Sequence, residues 1–441
     1  MSSRSLPDPP VPSEAGDSPP ATSTSRLAFA SAIGTTLEYY DFAVYNTLAA
    51  LVFNRIFFPA FDPLTGTLLA FSTYAVGYMS RPVGGFVFGH LGDRRGRRFV
   101  LVATLLLMGI ATTLMGVLPT YANAGIASPL LLILLRFVQG AALGGEWAGA
   151  VLLSVEHGTA RQRGRNGSWA QMGPSIGTLI ATLTIALLSY FLTDAAFIDW
   201  GWRLPFFLSL TLVACGLWIR TGVTETPVFR RLQAERSTSR APLGEVLRHH
   251  RGALLRAGAV RIGSDVQYSI IAAFTLSYVT TVLGQSRALA LTALSIGGVF
   301  NALGMPFFGA LSDRFGRRVV YGAGLVIALA WSLALFPMLD TKSTAFIVLA
   351  YVSGLAIHSI MYGPQAAFIV EQFPTHARYA GASLAYTLAG VVGGGLAPLI
   401  SAALYQKYET TAAVIAYLAI ALGISALALA FARERAGETL G

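Results

Sequence analysis

The chain has 441 residues, 54% hydrophobic and only 12% charged, with a mean hydropathy of +0.61. Soluble domains carry about 25% charged residues, so this composition excludes a disordered chain and argues against a soluble enzyme. The net charge is +10, from 31 basic and 21 acidic residues; such an excess points to nucleic acid, an anionic membrane face or an anionic substrate until position decides.

Residues 1–25 hold six prolines and many Ser and Thr, and read as a disordered N-terminal tail rather than a secretory signal. From Leu27 onward, apolar runs long enough to cross a bilayer recur between short polar breaks. They fall at about 27–53, 68–90, 99–118, 129–153, 168–191 and 203–221, then 255–283, 288–311, 319–339, 343–370, 377–404 and 411–432. Backbone polar groups in lipid must be satisfied within the segment, so these runs predict helices. The expected fold is an all-α integral membrane protein of twelve transmembrane helices in two pseudo-symmetric six-helix halves. The halves span 26–221 and 254–432, joined by a polar linker at 222–253 and followed by a tail at 433–441.

Arginine placement gives the orientation. With the N-terminus in the cytoplasm, 23 basic residues fall on the cytoplasmic side and four on the other, and four more lie in or beside spans. The expected site is therefore a cell (inner or plasma) membrane, crossed many times, with both termini cytoplasmic. The charge then reports orientation and contact with lipid, and no nucleic acid is expected. Cys215 is the one cysteine, which excludes an intramolecular disulfide and a cysteine metal cluster. No metal site, cofactor or catalytic group is expected; the chain lacks HExxH and the P-loop pattern.

One segment repeats. Gly89-His-Leu-Gly-Asp93-Arg-Arg-Gly-Arg-Arg98 recurs as Gly309-Ala-Leu-Ser-Asp313-Arg-Phe-Gly-Arg-Arg318, each between the second and third span of its half. A weaker echo joins Glu156 and Arg163 to Glu371 and Arg378. Internal repeats of this kind mark transporters whose substrate site lies near the midplane, between the halves. The expected cytoplasmic gate uses Gly89, Asp93, Arg94, Gly96, Arg97, Arg98, Glu156 and Arg163, with Asp313, Arg314, Gly316, Arg317, Glu371 and Arg378. The aspartates can accept at helix N-termini, and the arginines can reach the two glutamates. Arginine acting only as a topology signal is the simpler alternative.

Charges at bilayer depth are costly and mostly functional. Glu38, Asp41 and Tyr45 share one face of the first span by helical spacing. Asp41 is the first candidate for a coupling proton and Glu38 the second; a fixed ion pair is the rival. Tyr74, Tyr78 and Arg81 share a face of the second span, where Arg81 can anchor a carboxylate or pair with an acid of the first span. Arg136, Gln139 and Glu146 lie within one arc of the fourth span. Arg136 can pair with a first-span acid until protonation releases it, and Glu146 is a further titratable candidate. Arg261 and Asp265, four apart, can form an ion pair in the C-terminal half. His358, Tyr362 and Gln365 form a polar stripe, with Gln171, Asn301 and Tyr386 as further pocket candidates.

The repeated loop in a twelve-span chain resembles the major facilitator superfamily. Glu38-Tyr-Tyr-Asp41-Phe-Ala-Val-Tyr45, Arg81-Pro-Val-Gly-Gly85, Arg136-Phe-Val-Gln-Gly140, Gly144-Gly-Glu146-Trp and Trp200-Gly-Trp-Arg203-Leu-Pro-Phe206 are similar to elements of its metabolite:proton symporter family. Tyr39 stands where that family usually has tryptophan. The resemblance implies proton-coupled uptake of a small organic acid, a shikimate-like or other carboxylate metabolite, by a monomer. It also implies that Arg81 and Arg203 contact a substrate carboxylate, although Arg203 lies near the outer boundary and can serve there as an interfacial anchor. The alternatives are uptake of a zwitterionic osmolyte such as proline or betaine, drug/proton antiport, and a non-transporting membrane sensor.

Overall fold

The computed structural model describes residues 24–438 apart from 96, 145–150, 153, 156–160 and 222–241. A helix stands in each of the twelve expected places. The N-terminal half contains α1 (Thr24–Leu51), α2 (Pro63–Met79, continued by Arg81–Arg95), α3 (Arg97–Gly116), α4 (Ala127–Leu143), α5 (Arg163–Phe191) and α6 (Leu204–Thr221). The C-terminal half contains α7 (Arg251–Ser269 and its continuation to Val282), α8 (Arg287–Phe315) and α9 (Arg317–Asp340), then α10 (Thr344–Glu371), α11 (Thr375–Ala389, running on to Tyr408) and α12 (Ala412–Ala430). Of the expected linker, Pro242–His249 forms a short helix. The N-terminal tail to residue 23 lies outside the described residues.

Local chemistry sets several ends. Asp62 caps α2, its carboxylate accepting from Leu64 and Thr65 N–H, with Pro63 in the first turn. Ser286 caps α8 through Leu289 N–H. The second span is two helices end to end rather than one, because Pro82 brings no N–H to the turn after Ser80. Wide turns interrupt α7 at Ile270–Phe274 and Tyr278–Val282, and α11 at Gly390–Gly395.

The distribution of side chains is that of a protein solvated by lipid. Leu210, Val326, Leu333, Ile420 and Leu427 are more than half exposed on the outside. Asp41, Arg81, Arg136, Arg261 and Asp265 are buried inside. Six of the described helices, α5 and α8 to α12, are each long and apolar enough to cross a bilayer. The halves meet where α5 packs against α8 and α10, and where α2 packs against α11.

Within the N-terminal half, glycine lets α2 and α4 touch backbone to backbone. A Cβ on Gly140 would lie 1.9 Å from the Gly77 carbonyl oxygen, and one on Gly144 would lie 1.9 Å from that of Arg81. These two glycines, four apart, act as the small-residue stripe that membrane helices use to pack closely. This seam holds Arg81 and Arg136 in their places. Gly144→Val is expected to cost about 1–3 kcal/mol through overpacking, seen as a lower melting temperature by tryptophan fluorescence in detergent. An unchanged melting temperature would contradict this packing.

Candidate functional site

Near the middle of the molecule, α1, α2, α4 and α11 enclose a cavity of about 20 Å³ lined by Thr35, Glu38, Tyr39, Arg81, Leu143, Ser383, Tyr386 and Thr387. That volume holds roughly one water molecule, so a metabolite requires the halves to part. Among the described residues that line the cavity, Arg81 is the one cation. Its guanidinium stacks over the rings of Tyr78 at 3.9 Å and Phe42 at 4.4 Å. Nε and Nη2 of Arg81 have no hydrogen-bond partner among the described residues. Aromatic faces offset part of the desolvation cost of the cation but leave its fork of N–H donors open.

Asp41 is turned away from the cavity, into the N-terminal half. Its Oδ2 accepts from the Thr112 hydroxyl at 3.0 Å, while Oδ1 has no partner among the described residues. The expected contact between Arg136 and a first-span acid is indirect. Arg136 donates to Gln139, whose amide donates to Thr112 at 2.6 Å, and Thr112 reaches Asp41. The Arg136 guanidinium also lies over Phe42 at 3.8 Å and Tyr45 at 4.1 Å. Tyr45 hydrogen-bonds Thr73 at 2.5 Å, and Tyr74 donates to Tyr78 at 3.1 Å.

The C-terminal half faces this with a ring of hydroxyls. Tyr39 meets Tyr386 at 2.8 Å across the halves, and Tyr386 meets Tyr362 at 3.2 Å. Arg261 pairs with Asp265 at 2.9 Å, donates to the Tyr386 carbonyl at 2.6 Å and lies over the Tyr386 ring at 3.3 Å. Its charge is thus answered within its own half. His358 stacks on Tyr362, and its Nδ1 is 3.2 Å from Asn301 Oδ1. The Asn301 amide donates to Ser175 of the other half at 3.3 Å.

Of the expected substrate contacts, Arg81 and Tyr386 line the cavity; Tyr45, Tyr74, Tyr78, Gln139, Asn301, His358 and Tyr362 do not, and neither do Arg203, Gln365 and Gln171. Arg203 donates to the carbonyls of Gly116 and Leu118 at 2.8 and 2.6 Å, capping the end of α3. Gln365 donates to Ser264 and Tyr321 at 2.7 and 3.0 Å, because the stripe on α10 has moved nearly two turns along the helix by that point. Gln171 is buried on α5 and does not line the cavity. Glu146 and Glu156 lie outside the described residues, as does the side-chain detail of the first loop with Gly89, Asp93, Arg94, Gly96, Arg97 and Arg98.

The second copy of the repeat bridges the halves on the face that carries the termini. Both Asp313 oxygens accept from the first turn of α5, at Gly164 N–H (2.8 Å) and Arg165 N–H (2.9 Å). Arg317, also buried, joins Asp313 at 2.7 Å to Glu371 at 3.3 Å. Gly316 follows α8 with φ of +93°, a conformation that suits glycine. Arg163 donates to the Glu438 carbonyl, whereas Arg314 lies over Phe315, outside the network. Arg378 is buried at the start of α11.

On the opposite face Asp194 binds Arg55 at 2.9 Å and Arg287, of the other half, at 2.6 Å. Partial burial pushes the Asp194 carboxyl up, but the Arg55 hydrogen bond and the charges of Arg287 and Arg55 outweigh it and hold the group below the usual carboxylate range. This three-residue bridge was not legible, since its members lie 139 and 93 positions apart. Thr112 was also missed; a threonine in an apolar run gives no signal. Tyr39 stood out only as the replacement for a usual tryptophan.

Comparison with known proteins agrees with this architecture. Residues 27–254 match the family model described as sugar (and other) transporter, and 259–440 match that of the major facilitator superfamily. The chain is 39% identical to the inner membrane metabolite transport protein YhjE of Escherichia coli (strain K12), covering 96% of this chain and 97% of that one. It is 41% identical to the shikimate transporter of the same strain, over 87% and 88%. It is 31% identical to the proline/betaine transporter of Salmonella typhimurium, over 90% and 82%. In fold it resembles the proton:xylose symporter XylE bound to 6-bromo-6-deoxy-D-glucose, with a TM-score of 0.73 at 17% identity over 95% of this chain and 97% of that one. With two family models spanning nearly its whole length and relatives this similar, the chain belongs to the major facilitator superfamily of multi-pass membrane transporters.

Proposed function

We propose that the protein is a proton-coupled symporter of the inner membrane that takes up a small organic acid, with both termini in the cytoplasm. The observation that carries this reading is Arg81: a buried guanidinium, lining the central cavity, with Nε and Nη2 unpartnered among the described residues. A carboxylate fits that fork bidentately. The tyrosine hydroxyls of Tyr39, Tyr386 and Tyr362 suit the hydroxyls of a polyhydroxylated acid, and a shikimate transporter is among the similar proteins. The arginine-rich loops support a cytoplasmic position for both termini.

For coupling, Asp41 is assigned the proton, with Glu38 second. Asp41 keeps one oxygen open and is tied to Arg136 through Thr112 and Gln139. Protonation removes the charge at one end of that chain, which shifts the balance between conformations that hold Arg136 differently. The Asp313–Arg317–Glu371 network is assigned the cytoplasmic clamp, and Asp194 with Arg55 and Arg287 the outer latch.

A second reading is uptake of a zwitterionic osmolyte. Glu38 lines the same cavity as Arg81, together with Tyr39 and Tyr386, which suits a ligand carrying both a carboxylate and an ammonium group. Proline/betaine transporters are also among the similar proteins.

In proteoliposomes, Asp41→Asn is expected to abolish gradient-driven accumulation of shikimate while substrate exchange persists. Undiminished accumulation would remove Asp41 from the coupling role. Arg81→Gln is expected to weaken shikimate binding roughly tenfold to a hundredfold, the worth of hydrogen bonds to a charged group. Unchanged binding, or stronger binding of betaine than of shikimate by the unaltered protein, would favour the osmolyte reading.

The outer latch has a definite pH sign. A carboxyl held below its unfolded value contributes stability that is fully present above the unfolded value, about 3.9, and fades as pH falls through the folded one. The melting difference between wild type and Asp194→Asn is expected to stay level from pH 8 to 5 and to shrink below about pH 4. A difference that falls already between pH 7 and 5 would contradict this pairing.

A further inference from the structure

A second cavity, of about 380 Å³, opens on the face that carries the termini, away from the central site. The start of α7, the turn between α10 and α11, and the chain beyond α12 form its walls. Its charge comes from Arg256, Arg433 and Arg435, with His249 and His250 beside them. No carboxylate lines it among the described residues. Neighbouring acids are engaged elsewhere: Glu371 with Arg317, and Glu434 with the Arg318 N–H. Glu438 lies 4.0 Å from Arg435, whereas Arg256 and Arg433 have no carboxylate partner among the described residues.

Arg256 is built into the cavity rather than extended from it. Its Nε is buried with no hydrogen-bond partner among the described residues. Its guanidinium folds over the first turn of α7, where a Cβ on Gly252 would lie 3.1 Å from Nη1. The N-cap position of that turn is His250, whose side chain does not cap it. The positive end of the helix dipole adds to the arginines.

We propose that this cavity binds a phosphate group, carried by an anionic phospholipid headgroup or by a soluble phosphate ester. Arginine forks match phosphate oxygens bidentately, the volume is that of a small-ligand pocket, and basic pockets at a membrane face take anionic headgroups. The ligand would act on the gate. Gln372, in the same wall, donates to the Arg433 carbonyl at 3.0 Å, and Arg435 donates to the Glu371 carbonyl at 3.2 Å. Glu371 in turn holds Arg317. A bound phosphate thus fixes the end of α10 and supports the closed clamp. This inference does not depend on which substrate the central site carries.

The test uses the purified full-length chain. Native mass spectrometry compares retention of phosphatidylglycerol with that of phosphatidylcholine, and thermal shift measures protection by inorganic phosphate. Arg256→Gln and the double variant Arg433→Gln/Arg435→Gln are compared with Arg248→Gln, an exposed arginine outside the cavity. Affinity for phosphatidylglycerol or phosphate is expected to fall about tenfold in the cavity variants and to be kept in the control. Retention of the lipid without protection by phosphate identifies a headgroup; protection by phosphate alone identifies a soluble ester. The double variant lies outside the helical core and remains informative if Arg256→Gln fails to fold. Absence of both interactions in the wild type, equal binding by all variants, or an equal loss in the control would overturn the proposal.

Discussion

An arginine inside a membrane cannot escape its charge by losing a proton, so the fold must supply whatever holds it. Four of the six buried arginines among the described residues receive four different answers here. Arg317 lies between two carboxylates, and Arg261 pairs with the acid four residues on. Arg136 has aromatic rings, Gln139 and, two bonds further, Asp41. Arg81 has the rings of Tyr78 and Phe42, with two of its nitrogens unpartnered among the described residues. The order runs from structural to functional: the less completely the protein answers a buried charge, the more it invites a ligand to do so.

The same constraint explains the bridges at the two faces. A closed passage needs attraction between halves that lipid itself does not supply, and each face uses a different kind. The face with the termini buries Arg317 and Glu371 almost completely and adds two backbone donors from α5 to Asp313. The opposite face relies on an exposed carboxylate between two arginines. Buried pairs lose heavily when one partner is removed, whereas exposed pairs contribute little and are screened. If these bridges act as the gates proposed above, the first is the firmer bar and the second the easier to open.

Much of this was legible in the sequence because bilayer thickness, the period of the helix and the spacing of arginines are local. Helices stand in all twelve expected places, and Arg261 and Asp265 were paired by spacing alone. What could not be read were partnerships set by helices meeting across the chain. Helical spacing placed Glu38 and Asp41 on one face, yet α1 packs so that Glu38 lines the cavity while Asp41 turns to Thr112. Spacing likewise joined Gln365 to His358, but the axial rise along α10 carries Gln365 to Ser264 and Tyr321. Arg203 carried a substrate role by resemblance, and the local backbone turned it into a cap for α3. The first copy of the repeat sits beside residues outside the described set, so only Asp313 and its partners give the clamp a geometry.

Movement of protons together with the substrate is the most direct test of the proposed coupling. Proteoliposomes loaded with a pH-sensitive dye, given shikimate outside and no imposed gradient, report that movement. Symport predicts a saturable internal acidification that appears only with substrate and scales with its uptake. Shikimate entry with no change in internal pH, or with alkalinisation, would contradict it.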